Sequence, residues 1–177
     1  MATPTITEPR FATRGADPAV PAAAAAAARP AVVSGPTYWL SIAGIYLMQG
    51  ALWYYGAYEK IVGGNFDAPA GIQKSFAGSF IDTFPGVGVV WVLIALAEAA
   101  IVIGLLASLV RGEFLRDRAK PILLGTLAGS VVVLGALLFG QSMIGEHDSV
   151  ASLFTYGAGT LVMMAAVVLL SPGSRTR

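Results

Sequence analysis

Four apolar stretches, each about twenty residues long, constrain the fold more strongly than any other feature of the chain. They cover residues 38–58, 86–110, 121–141 and 150–171. A helix of ~20 apolar residues is long enough to cross the ~30 Å hydrocarbon layer of a bilayer. Only 12% of the residues are charged, whereas soluble domains carry roughly 25%. We therefore expect an all-α, polytopic membrane protein whose domain, residues 37–171, is a four-transmembrane-helix bundle.

The basic residues predict how the bundle is oriented. Nine of the eleven lysines and arginines lie before the first stretch, between the second and third, or after the fourth, and only Lys60 and Lys74 lie elsewhere. Because basic residues concentrate on the cytoplasmic side of a membrane, we expect a multi-pass protein of the cytoplasmic (bacterial inner) membrane with both termini in the cytoplasm. The alanine- and proline-rich residues 1–36 are expected to form a disordered tail, and residues 172–177 a short second tail.

The link between the first two spans carries an amphipathic pattern. Ile72, Phe76, Phe80 and Phe84 recur every four residues within 69–84, which predicts one short helix with a single apolar stripe. Such a helix lies in the membrane interface or over the mouth of a bundle. Its interpretation stays open between a lid on the outer ends of the spans and a gate for a lipid-soluble ligand.

Glu98 is the only charged residue in the stretch 86–110 and lies at its middle. A carboxylate at the centre of a bilayer costs ~2.5–3.5 kcal/mol on insertion scales. Gln49, near the middle of the first span, should lie at the same depth, where a hydrogen bond to Glu98 would offset part of that cost. We expect Glu98 to be protonated, or partly so, at neutral pH. It is a candidate catalytic residue for proton exchange, and equally a polar anchor that fixes helix register.

A second candidate site would contact a quinone head group through a polar mouth at the outer ends of the spans, together with Gln49 within the first span. Its residues are Gln49, Tyr55, Lys60, Gln141, His147 and Tyr156. The alternative is an aromatic belt at the membrane surface with snorkelling charges. Carboxylates flank the single histidine and favour its protonated form, so no metal site is predicted. The net charge of +1 argues against binding to nucleic acid.

The order of these features resembles the DoxX/DoxD-like membrane family over about residues 38–171. The similarity is carried by GALWYYGAYEK at the end of the first span, the outer half-helix, and LAEAAIVIGLLASL in the second span. It implies a four-helix membrane protein and places Lys60 and Glu98 at the family's basic and acidic positions. Some members are linked to thiosulfate:quinone oxidoreduction and others to oxidative-stress complexes.

Two functions follow from this resemblance. The first is an accessory subunit of a membrane redox or respiratory complex, which docks another membrane or redox subunit. The second is a quinone-reactive subunit of a thiosulfate:quinone-type oxidoreductase, in which Glu98 or the outer polar residues exchange protons. The chain has no cysteine, so redox chemistry would need a partner or a bound quinone, and no intrinsic cofactor is expected. Whether the chain is catalytic, and whether it forms a homo-oligomer, stays open.

Overall fold

The computed structural model describes residues 33–171, and these fold into helices joined by short loops, with no strand in that range. The six α-helices are α1 Gly35–Tyr58, α2 Ala70–Phe76, α3 Phe80–Thr83, α4 Val87–Val110, α5 Pro121–Met143 and α6 His147–Leu170. The all-α prediction is confirmed. The predicted tails fall outside the described residues except for 33–36. Helix α1 already begins there, at Gly35, and the Ser34 hydroxyl caps it by accepting from the Thr37 N–H.

Three of the helices, α4, α5 and α6, are long and apolar enough to cross a membrane. Large apolar side chains point outward from them, with Val110 88% and Leu169 82% exposed, which indicates a bilayer environment. Helix α1 has the same length as α4 and α6. It is less apolar than those helices because it contains several tyrosines, two tryptophans and Gln49. The predicted bounds of the long helices agree with the structure to within three residues.

The predicted single helix over 69–84 is wrong, because the chain breaks into α2 and α3. Gly78 takes a left-handed backbone conformation with φ of 77°, which turns the chain, and Ser79 then caps α3 by accepting from the Asp82 N–H. Phe76 is buried, whereas Phe80 is 69% and Phe84 70% exposed. The four-residue repeat therefore does not form one continuous apolar stripe.

The long helices pack in chain order. Helix α5 lies between α4 and α6, and α1 packs along α4 and also touches α6. Buried aliphatic side chains and Trp53 from all four helices form the core, comprising Ile45, Trp53, Ile101, Leu105, Leu123, Leu127, Leu134 and Val167. Trp53 is only 2% exposed and is thus a core residue.

Candidate functional site

Glu98 pairs with Lys60, and this pair is the centre of the candidate site. The Lys60 Nζ lies 3.0 Å from both the Oε1 and the Oε2 atoms of Glu98. The side chains are only 13% and 5% exposed, respectively. Glu98 is the twelfth of the 24 residues of α4. The Lys60 ammonium group therefore contacts the middle of α4. The prediction that Glu98 would bond to Gln49 is therefore wrong.

A widened helical turn and a glycine bring the two charges together. Helix α1 continues as a π-helical turn over Glu59–Gly63, in which the Gly64 N–H donates to the Glu59 carbonyl, five residues back. Lys60 lies in this turn and reaches back toward α4. Gly56 lies against the carboxylate, and a Cβ atom there would be 2.9 Å from the Glu98 Oε2. A larger residue at position 56 would therefore require the Glu98 carboxylate to move away from its present place beside α1.

Gln49 belongs to a separate, neutral network between α1 and α6. Its Nε2 donates to the Thr160 hydroxyl at 3.1 Å, and its Oε1 accepts from the Trp53 indole N–H at 3.0 Å. Gln49 precedes Gly56, the neighbour of Glu98, by seven residues, a rise of about 10 Å along a helix. Gln49 and Glu98 therefore lie at different depths, contrary to the sequence prediction.

The predicted polar mouth is not joined by hydrogen bonds: within the described residues, none connects the side chains of Lys60, Gln141, His147 and Tyr156. Lys60 is engaged by Glu98, while His147 begins α6 on the surface. Tyr156 is 50% and Tyr55 69% exposed. Gln141 is half-buried and lines a cavity. Of the predicted set, only Lys60 and Glu98 are in direct contact as a buried pair.

The cavity that Gln141 lines is a feature that the sequence did not reveal. It measures about 80 Å³ and lies between the short helices, the start of α4 and the end of α5. Its other named wall residues include Phe76, Trp91 and Gly140. Lys60 Nζ lies 5.1 Å from the centre of the Trp91 ring, so Trp91 lines the cavity and also lies beside the charged pair. A tryptophan near a helix start is typical of a membrane-surface anchor, which concealed this role.

The opposite end of the bundle holds a second buried cluster that was also missed. The Glu113 carboxylate accepts from the Ile122 and Leu123 N–H groups at 3.1 and 2.8 Å and so caps α5. Lys120 is buried, and its Nζ lies 5.5 Å from the centre of the Tyr38 ring. Burial lowers the pKa of Lys120, an effect that the nearby carboxylates of Glu113 and Asp117 oppose. These groups order the loop between α4 and α5.

The chemistry available to the Lys60–Glu98 pair follows from its contacts. Both carboxylate oxygens accept from one ammonium group, which holds the Glu98 carboxylate in place against the end of α1. Within residues 33–171, no group of three histidine, cysteine, aspartate or glutamate side chains is arranged to hold a metal ion.

No protein-family model, curated protein or solved structure matches this chain. The DoxX-like resemblance therefore stays a prediction.

Proposed function

We propose that this chain is a DoxX-like membrane protein that serves as an accessory subunit of a membrane redox or respiratory complex. In this proposal α1 crosses the membrane together with α4, α5 and α6, which makes four spans, and both termini face the cytoplasm. The Lys60–Glu98 pair is a structural clamp that holds the end of α1 against α4. The bundle presents its apolar outer faces to lipid and to a partner subunit.

Two connections at different depths support α1 as a span. Lys60 ties the end of α1 to Glu98 on α4, and Gln49 ties its middle to Thr160 on α6. Both partners belong to helices long and apolar enough to cross a membrane. The 24 residues of α1 rise about 36 Å, which exceeds the ~30 Å hydrocarbon layer. A helix bonded at two levels to such helices shares their environment.

Cysteine labelling tests this topology directly, because the chain contains no native cysteine. Ser34→Cys, directly before α1, and Phe84→Cys, between α3 and α4, place single thiols at exposed positions on the two sides of α1. A membrane-impermeant maleimide added to intact cells should label Phe84→Cys at once and Ser34→Cys only after permeabilisation. If both positions have the same accessibility, α1 does not cross the membrane.

The observation that carries the accessory role is that Glu98 is already satisfied. Both of its oxygens accept from Lys60 inside the bundle, and the buried Gln49 is bonded on both its amide atoms. Polar groups that are bonded to one another in this way fix helix register. A proton carrier, by contrast, needs a free site for the proton and a path to it.

The experiment compares wild type with Glu98→Gln in the native membrane. After mild detergent extraction, native mass spectrometry reports the subunits and small molecules that co-purify, and turnover of the assembled complex is measured beside it. An accessory role predicts that a redox subunit is retained in both proteins and that Glu98→Gln leaves turnover intact. Recovery of a chain without any partner would contradict this role.

A second candidate, a quinone-reactive subunit, is favoured by one observation. The Trp91 ring lines the cavity and lies beneath the Lys60 ammonium, so a head group in the cavity would lie one ring away from the charged pair. Proton exchange with such a head group through Glu98 predicts that Glu98→Gln abolishes quinone-dependent turnover while the complex stays assembled. The same experiment therefore separates the two candidates.

A further inference from the structure

The cavity beneath the two short helices has the walls of a binding site for part of an apolar molecule. Its volume of about 80 Å³ is several times the 10–15 Å³ that one water molecule needs. The walls are formed mainly by aliphatic and aromatic side chains, which are Ile72, Phe76, Ile81, Val87, Trp91 and Leu137 among others. Ligand sites of this kind combine such walls with a few polar groups that orient the ligand.

Two polar groups in the wall lack partners within the described residues. The Trp91 Nε1 is sealed from solvent and has no hydrogen-bond acceptor. The Gln141 amide also forms no hydrogen bond with residues 33–171, but Gln141 is only half-buried and its amide is not sealed from solvent. A buried donor without an acceptor is unfavourable, and the great majority of buried polar groups in proteins are paired.

We propose that this cavity binds the carbonyl-bearing end of a membrane-soluble molecule. The Trp91 N–H and the Gln141 amide donate to the carbonyl oxygen, whose two lone pairs accept both bonds. The aromatic and aliphatic walls hold the adjoining ring or chain. Because Nε1 is sealed in this structure, the indole ring must rotate slightly before a carbonyl oxygen in the cavity can accept from it.

The wall of this cavity reaches the surface of the bundle. Phe76 on α2 is buried and Ile81 on α3 half-buried, whereas Ala136 on α5 is exposed and marks the side that a ligand can reach from the bilayer. A carbonyl group linked to a long apolar chain occurs in isoprenoid quinones and in ester-linked phospholipids, and both reach a protein through the bilayer. The site goes beyond the proposed accessory role and does not depend on it, since binding is measured on the purified chain alone.

The test is a titration of the purified full chain, followed by native mass spectrometry. The probes are a decyl-substituted benzoquinone, decylbenzene as its counterpart without carbonyls, and two phospholipids of equal chain length, one ester-linked and one ether-linked. We expect one carbonyl-bearing probe to bind at one molecule per chain, about tenfold more tightly than its counterpart without carbonyls. A preference for the quinone or for the ester lipid identifies the source of the ligand.

Matched variants locate the binding. Trp91→Phe removes the indole donor and retains an aromatic ring, and Gln141→Leu removes the amide. Each should weaken binding of the preferred probe about fivefold to tenfold. Trp39→Phe is the control, because Trp39 lies at the other end of α1 and does not line the cavity. Ala136→Leu, at an exposed position of the wall, should reduce binding by filling the cavity from outside, even if Trp91→Phe fails to fold.

Several results would overturn the proposal. These are equal binding of probes with and without carbonyls, unchanged binding in all three cavity variants, or no binding of any probe. Failure here would leave the accessory role intact, because that role is judged by the retention of a partner subunit. Conversely, loss of the partner in native extracts would not change binding by the purified chain.

Discussion

Removing either member of the Lys60–Glu98 pair should destabilise the bundle strongly, whereas removing both should not. The pair is largely buried, with side chains 13% and 5% exposed, and both oxygens of Glu98 lie 3.0 Å from the Lys60 Nζ. Loss of one partner from a buried ion pair typically costs ~3–5 kcal/mol, because the other charge is left uncompensated. Replacement of both partners by apolar residues of similar volume is often neutral. We therefore expect Lys60→Met and Glu98→Met to be damaging singly and well tolerated together.

The two single variants should differ in a direction that the structure specifies. Lys60 lies in the last turn of its helix and has a long stem, so without Glu98 its ammonium can snorkel toward the membrane surface. Glu98 lies in the middle of α4 on a short stem and cannot follow. Lys60→Met should accordingly lower the free energy of unfolding by more than Glu98→Met does. At ~3 kcal/mol the ratio of folded to unfolded protein would fall by about a hundredfold.

The assay is equilibrium unfolding in mixed micelles with increasing SDS, followed by tryptophan fluorescence. Thr160→Val provides the comparison, because it removes a neutral interhelical bond from Gln49, and such bonds in membranes average about 0.6 kcal/mol. If the effects of Lys60→Met and Glu98→Met simply add in the double variant, the two residues are not coupled and the clamp is refuted.

Three further predictions use single substitutions in the same assay. Gly56→Ala should destabilise the bundle because its methyl group meets the Glu98 carboxylate, whereas Gly50→Ala, with open space around it, should be neutral or stabilising; equal effects would contradict the close approach. Glu113→Ala should cost about 1–2 kcal/mol through loss of the α5 cap, and no measurable change would show that the cap is unimportant. The lowered pKa of buried Lys120 means that the unfolded chain binds the additional proton, so stability should rise with pH toward the ordinary lysine pKa of ~10.4; Lys120→Met should lose this rise and the exposed control Lys74→Met should retain it.

The long helices were predictable because their signal is local. Twenty consecutive apolar residues, a proline at position 121 and a charged loop define a helix without knowledge of its neighbours. The break at Gly78 was missed because the four-residue apolar repeat continues through it. A single glycine in a left-handed conformation outweighs a periodic pattern that only four side chains support.

The candidate site was only partly predictable, because contacts across helices depend on relative depth. Glu98 was recognisable as an unusual charge, but its partner was sought at the middle of the first span, at Gln49. The π-helical turn that places Lys60 beside Glu98 has no clear mark in the sequence. The glycine at position 56 is a usable signal in retrospect, since it leaves space on the face that receives the carboxylate.

The protonation state of Glu98 is the most direct test of the clamp. The sequence alone led us to expect a protonated group, whereas a lysine ammonium 3.0 Å from both oxygens leads us to propose an ionised pair. Infrared difference spectra of wild type and Glu98→Gln at neutral pH isolate the bands of this one side chain. We predict a carboxylate stretch that is lost in Glu98→Gln. A carboxylic C=O stretch from Glu98 in the wild-type protein would contradict the ion pair.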